Sequence, residues 1–291
     1  MSEIIDNIRI ADFWEKYDNN AIKCGLCPHY CLIKDTEYGK CGVRLNNNGT
    51  LVAASYGMVT SVALDPIEKK PLYNFHPGKT IVSIGSYGCN LKCQFCQNYR
   101  ISMEYKNIKT DQFSPLLVSE IALLAVNDGN IGVAYTYNEP LIGYEFVKDC
   151  SILIRNEGLM NVLVTNGYIN KEPLEELLPH IDALNIDIKG NNNRTYNKLG
   201  GTLEPVKNTI KTANNLCHVE VTTLIVPDEN ENDAEEIAKW LSGINPAIPY
   251  HLSRFFPRYK YSEGIPTPPE LMYKLKEKAE KYLENVYLGN M

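Results

Sequence analysis

The stretch Gly85-Ser-Tyr-Gly-Cys89-Asn-Leu-Lys-Cys93-Gln-Phe-Cys96-Gln-Asn98 decides how this chain of 291 residues is read. Its three thiols are spaced C-x₃-C-x₂-C, with no fourth cysteine close behind. That spacing suits three corners of a cubane 4Fe–4S cluster and leaves the fourth iron open. An open iron binds and transforms a ligand, so the pattern points to chemistry rather than scaffolding. A zinc site and a set of buried core thiols are the alternatives. Zinc ligands usually come as pairs of pairs, however, and no C-x₂-C partner follows downstream. Gly88 and Asn90 suit a tight loop wrapped around a cofactor.

Working outward, the composition is that of a folded chain with a large core: 44% of residues are hydrophobic and the net charge is −6. The acidic balance gives no basic footprint, which weighs against nucleic acid as a partner. No apolar run is long enough to span a membrane, and the N-terminus lacks the charged-then-apolar plan of a signal peptide. Nine cysteines without a secretion signal argue for metal ligation in a reducing cytoplasm rather than for disulfides. Cys150 and Cys217 stand alone in apolar surroundings and read as core thiols.

Residues 1–20 form a polar lead-in, and the whole of residues 1–78, rich in Cys, Gly, Asn and Pro, reads as a small Cys-rich N-terminal module. A hairpin is expected at Asn46-Asn-Asn-Gly49. From residue 79 to 291 the style changes. Apolar runs at 80–85, 131–136, 161–165, 183–188, 218–226 and 249–253 alternate with amphipathic stretches at 115–127, 140–157, 171–178, 205–216 and 231–243. Strand–helix alternation of this kind predicts an α/β fold with a parallel sheet, here a partial (βα)₆ TIM-like barrel. A helix over 267–284 is expected to close the C-terminal end.

Reactive residues of such barrels gather at the C-terminal ends of the strands. The first predicted strand is followed by the cysteine loop. The second ends in Tyr135-Thr-Tyr-Asn-Glu139-Pro, the third in Thr165-Asn166-Gly and the fourth in Asp187-Ile-Lys189. The fifth ends at Pro227-Asp, and the sixth carries His251 and Arg254. Each alone reads equally well as a loop residue or helix cap; their shared phase with six strands points to one site.

The cysteine spacing, with Phe95 before the last cysteine, resembles the signature of the radical S-adenosylmethionine (SAM) enzymes. Cys93-Gln-Phe-Cys96-Gln-Asn98, Thr165-Asn-Gly and Asp187-x-Lys189 are similar to motifs of the pyruvate formate-lyase activating enzymes. Val164 stands where those activases often carry Asp. The resemblance implies a 4Fe–4S cluster on Cys89, Cys93 and Cys96, with SAM on its open iron. Glu139 would then meet the SAM amino group, Lys189 its carboxylate, and Asp187 a ribose hydroxyl or a bridging cation. Thr165 and Asn166 would orient the methionyl part, and Phe95 would pack on adenine. Asn98, His251 and Arg254 complete the expected cofactor-binding set.

Cys24-Gly-Leu-Cys27-Pro-His-Tyr-Cys31, Gly39-Lys-Cys41-Gly-Val-Arg44 and Asp65-Pro-Ile-Glu-Lys-Lys-Pro-Leu72 resemble the radical SAM enzymes of the AmmeMemoRadiSam system. Members of that group commonly continue into a C-terminal Cys-x₂-Cys tail, whereas this sequence stops at Met291. The resemblance implies Memo-type and AMMECR-type partners, and reduced flavodoxin or ferredoxin as electron donor. Cys24, Cys27, Cys31 and Cys41 suffice for a second 4Fe–4S cluster or a zinc ion, or for three ligands and one redox thiol. A cluster is the favoured reading, because an electron relay would serve the first one. The expected function is reductive cleavage of SAM and hydrogen abstraction from an unknown substrate. A glycyl-radical activase and a non-catalytic iron–sulfur or zinc protein for electron transfer or assembly are the rivals.

Overall fold

The computed structural model describes residues 9–291; residues 1–8, the start of the expected lead-in, lie outside them. The chain begins with small antiparallel pieces. Strands β1 (Trp14–Lys16), β2 (Ile22–Cys24) and β3 (Leu32–Ile33) form one sheet. β4 (Arg44–Asn47) and β5 (Thr50–Ala53) form the expected hairpin. Its two connecting residues, Asn48 and Gly49, have φ of 51° and 76°. Asn-Gly takes this left-handed pair of conformations at little cost, and its twist matches that of the strands. β6 (Met58–Val59) pairs further on with β9 (Asp111–Gln112).

The main sheet is mostly parallel. β7 (Ser61–Pro66) runs antiparallel to β8 (Thr80–Gly85). β8, β10 (Asn130–Tyr135), β11 (Met160–Thr165), β12 (Ala183–Asp187), β13 (His218–Ile225), β14 (Tyr250–Arg254) and β15 (Val286–Gly289) are mutually parallel. These eight strands lie in the order β15-β14-β13-β12-β11-β10-β8-β7. The six expected strands fall within two residues of their sequence bounds. Ser61–Pro66, which reads from sequence as part of the N-terminal module, belongs to the sheet instead. It is an edge strand with Val62 and Leu64 exposed and Asp65 turned inward, so it lacks the continuous apolar run of a doubly covered strand. The expected C-terminal helix stops at Ala279, and the chain goes on into β15 as a seventh parallel strand.

Helices cover the outer face: α2 (Pro115–Leu124), α3 (Tyr144–Asn156), α4 (Lys171–Leu177), α6 (Leu203–Asn214), α7 (Asp233–Ser242) and α8 (Pro269–Ala279). Two short ones, α1 (Tyr99–Ser102) and α5 (Asn193–Lys198), flank the cavity. α2 starts where it does because Ser114 Oγ accepts from the Leu117 amide and Pro115 takes the first helical position. Val206, Ile210 and Ala213 of α6, and Ala234, Ile237, Ala238 and Leu241 of α7, recur at helical spacing and are fully buried. Each buried Val, Ile or Leu side chain stabilises the fold by about 1.5–3 kcal/mol. Cys150 is wholly buried in α3, a core thiol as expected. Cys217 is partly buried and its Sγ lies 3.4 Å from the Ala213 carbonyl.

Between β7 and β8 the chain passes under the sheet's inner face. Glu220 anchors it there, accepting from the Tyr73 and Asn74 amides at 3.0 and 2.7 Å. Asn185 donates to the Pro71 carbonyl at 2.8 Å. This segment is the floor of a cavity whose open end faces the C-terminal ends of the parallel strands.

Candidate active site

The cavity, about 310 Å³, is lined by Cys89, Cys93, Cys96, Phe95, Asn98, Glu139, Thr165, Asn166, Asp187 and Lys189 among others. Ten residues expected from the sequence are thus brought together. The loop that carries the cysteines follows β8 directly, and its shape is set by backbone rather than by side-chain bulk. Gly88 has φ of +83°, and a Cβ there would lie 2.7 Å from the Cys41 carbonyl oxygen. Its amide donates to the Ile101 carbonyl at 2.8 Å, closing the loop.

Three asparagines brace that loop. Asn138 accepts from the Ser86 amide and donates to the Tyr87 and Gly88 carbonyls at 3.0 and 3.3 Å. Asn98 donates to the Tyr137 carbonyl at 2.7 Å. Asn90 donates to the Tyr168 carbonyl and accepts from Asn166 Nδ2 at 2.9 Å. From sequence Asn90 reads only as a turn residue, and Asn138 carries no expectation of its own. The adjacency of Asn138 to Glu139 is the one signal that could have found it.

Glu139 is buried, and its carboxylate accepts from the Thr165 hydroxyl at 2.6 Å, the Asn166 amide at 2.8 Å and the Leu141 amide at 3.0 Å. Burial outweighs these donors and pushes the carboxyl up to about 7. Across the cavity, Lys189 Nζ lies 3.0 Å from Asp187 Oδ2. Burial opposes the lysine's charge, but the carboxylate of Asp187 and the thiol of Cys93 hold its pKa raised. The Lys189 amide donates to the Tyr196 hydroxyl at 3.1 Å, so α5, which sequence reasoning missed, fixes this wall. One wall offers a carboxylate and the other a cation. That is the complement of an α-amino acid with its ammonium and carboxylate groups.

The three cysteines fit a cluster that needs thiolates. The Leu91 amide and Asn166 Nδ2 approach Cys89 Sγ at 3.4 and 3.6 Å. Burial pushes the Cys93 thiol up to about 12, with Lys189 opposing it. Thiolates buried so deeply require positive charge beside them, which a bound metal supplies. Among the described residues, no three His, Cys, Asp or Glu side chains converge on one metal-ion position.

Two expected cofactor residues lie elsewhere. His251 Nε2 is 2.5 Å from Glu220 Oε2, and the ring stacks on Tyr287 near the floor. Arg254 donates from Nε to the Thr267 carbonyl at 2.7 Å and lies over the Phe256 ring. The reasons are depth along the strand for His251 and strand parity for Arg254. On β14 residues 251 and 253 face inward, and it is Ser253, nearer the strand end, that lines the cavity. Arg254 falls on the opposite face.

The N-terminal cysteines lie beside this site. Cys24, Cys27 and Cys41 are buried and Cys31 partly so. The contact of Cys41 with Gly88 joins the two cysteine groups through backbone. His29 Nε2 is 2.6 Å from the Asn90 carbonyl, and Asn170 Nδ2 donates to the Gly25 carbonyl at 2.6 Å. No helix among the described residues is long and apolar enough to cross a membrane.

Comparison with known proteins adds to this geometry. The model of the radical SAM superfamily matches residues 83–241. An uncharacterised protein of Methanocaldococcus jannaschii is 44% identical over 98% of this chain and 86% of its own length. A second protein of that organism, named as a putative glycyl-radical enzyme activating enzyme, is 28% identical over 73% of this chain and 90% of its own. The pyruvate formate-lyase 1-activating enzyme of Escherichia coli K12 is 25% identical over 67% of this chain and 86% of its own. In fold, the chain is similar to Streptococcus suis SuiB bound to S-adenosylmethionine, with a TM-score of 0.52 and 14% identity over 72% of this chain and 46% of that one.

Proposed function

The chain belongs to the radical SAM superfamily, and from that premise we propose that Cys89, Cys93 and Cys96 hold a 4Fe–4S cluster at which SAM is reductively cleaved. The observation that carries this is the sharing of one cavity by three thiols, a buried carboxylate and a buried lysine. When bound, the cluster supplies an electron that splits SAM into methionine and a 5′-deoxyadenosyl radical for hydrogen abstraction. Glu139 accepts hydrogen bonds from the SAM ammonium, and Lys189 neutralises its carboxylate. Thr165 and Asn166 hold Glu139 in place, Asp187 orients Lys189, and Phe95 gives adenine an apolar face. Asn98 and Asn138 brace the loop that carries the cysteines.

Replacement of Cys89, Cys93 or Cys96 by Ala should abolish 5′-deoxyadenosine formation from SAM under dithionite. Retained cleavage in any of the three variants sinks the proposal. The four N-terminal cysteines hold, on this reading, a second 4Fe–4S cluster that relays electrons from a flavodoxin or ferredoxin. Its support is the backbone contact between the Cys41 and Cys89 loops. Iron and zinc counts after anaerobic preparation decide between cluster and zinc. The Asp65–Leu72 segment supports placement with the AmmeMemoRadiSam enzymes and their Memo-type and AMMECR-type partners.

This reading favours an unknown substrate over a glycyl-radical enzyme, because the cysteine module precedes the cluster loop rather than following it as in the activases. The activase relatives favour a second reading, removal of hydrogen from a glycine of a partner enzyme. A glycyl signal in a co-expressed partner, read by electron paramagnetic resonance, establishes that instead.

A further inference from the structure

On the cavity wall formed by the end of β7, three groups converge on one carboxylate. Lys70 Nζ lies 2.7 Å from Asp65 Oδ2, the Tyr137 hydroxyl donates to the same oxygen at 2.7 Å, and Lys69 Nζ lies 3.1 Å from Oδ1. The Lys70 side chain is only 2% exposed, yet it lines the cavity with the three cysteines. Two lysines against one aspartate leave a local excess of positive charge. A buried ammonium has three N–H donors, of which Asp65 takes one while the Tyr137 ring lies 4.7 Å below the nitrogen.

Nothing in the handling of SAM uses these groups. Its ammonium and carboxylate are matched by Glu139 and Lys189, which belong to other strand ends. Asp65 is held ionised: burial pushes its pKa up, but the hydrogen bonds of Lys70 and Tyr137 bring it well below the usual carboxylate range. Its charge is therefore committed to positioning Lys70, Lys69 and Tyr137. Tyr137 holds this place with a φ of 71°, a left-handed conformation that is strained for a tyrosine. That strain is balanced by the bond to Asp65 and by packing against Gly85, where a Cβ would come within 2.8 Å of the ring.

We propose that Lys70, assisted by Lys69, seats an oxyanion of the substrate, a carboxylate or a phosphate, inside the barrel. The proposal deepens the radical SAM reading and rests on it for the word substrate. Lys70 sits beside Pro71 on the floor segment, out of reach of the surface of a folded macromolecule. The substrate class is accordingly a small organic acid or phosphate ester. Held by its charged end, it presents a C–H bond toward the side of the cavity that carries Cys89, Cys93 and Cys96.

The test is calorimetric titration of the reconstituted holoprotein, with SAM present, using inorganic phosphate in one arm and malonate in the other. At least one ion should bind saturably, and the stronger arm tells phosphate ester from carboxylic acid. Lys70→Met should weaken that binding by at least about tenfold, as expected for loss of a charge-assisted contact. Lys70→Arg should restore most of it, and SAM affinity should stay within about twofold in all variants. Lys69→Met changes an exposed side chain and should weaken binding severalfold, which keeps the test open if Lys70→Met does not fold. Absence of binding in both arms overturns the proposal, as does undiminished binding in both lysine variants. Absence of SAM cleavage by the reconstituted unsubstituted protein, with anion binding intact, overturns the reading of the cysteine loop and leaves this site standing.

Discussion

The carboxylate of Glu139, at the end of one strand, sits 2.6 Å from the hydroxyl of Thr165 at the end of the next. That bond spans the two edges of the SAM wall and holds an acid whose pKa is raised from 4.5 to about 7 by burial. Without ligand, the folded chain keeps a proton there that the unfolded chain gives up. Stability of the empty protein should therefore fall as pH rises from about 4.5 through about 7. An ammonium ligand needs the ionised form, so below about 7 SAM binding must release a proton. SAM affinity should rise with pH and level off above about 7, and Glu139→Gln should flatten the profile and weaken binding. Calorimetry near pH about 6 and about 8, in buffers of different ionisation enthalpy, counts the proton.

Gly88 should not tolerate a side chain. With φ at +83° and the Cys41 carbonyl oxygen 2.7 Å from where a methyl would stand, Gly88→Ala sets strain against a backbone atom. A loss of about 1–3 kcal/mol is expected, with lower iron content per chain. Thermal unfolding and metal analysis of the same preparation read both effects.

Arg44 and Glu145 form a buried pair, 2.9 Å apart with side chains 2% and 0% exposed. The guanidinium also holds the Asp12 carbonyl, whose own amide donates to Glu145 at 2.7 Å. Arg44→Met leaves a buried carboxylate without its counter-charge and should cost about 3–5 kcal/mol in denaturant unfolding. Arg44→Met combined with Glu145→Met should cost markedly less than Arg44→Met alone.

Glu220 should control acid stability. Burial raises its pKa, but hydrogen bonds from His218, His251 and the Asn74 amide hold it down at about 2, against an ordinary 4.5. Its contribution is fully present above about 4.5 and is lost progressively as pH falls through about 2. Glu220→Gln should be less stable at neutral pH by up to about 3 kcal/mol and lack that acid-induced slope in unfolding experiments.

The parallel strands are legible because each is covered on both faces and so reads as an apolar run, as in Ile81-Val82 or Val162-Leu163. β7 and β15 sit at the edges and carry half of that signal or less. The short helix α5 begins in an asparagine-rich stretch with no amphipathic face, although Tyr196 within it positions Lys189. Strand-end logic finds Glu139, Thr165, Asp187 and Lys189, since their own strands deliver them to the cavity. It misplaces Arg254, where one residue of strand parity decides the direction, and His251, which faces inward but sits too near the floor. Lys69 and Lys70 are out of its reach: they enter the cavity from the segment that follows the antiparallel strand β7, and only the folded chain brings Asp65 to Tyr137.

The sheet ends at β7 on one side and β15 on the other, with no ladder joining them among the described residues. Near the floor the seam is bridged by side chains, through the Tyr287 hydroxyl on Asn74 at 2.7 Å and the Tyr287 ring against Tyr73. At this seam Tyr73, Asn74 and Tyr287 stand where a main-chain ladder would otherwise close the barrel, so its two edges are tied by aromatic packing and side-chain hydrogen bonding.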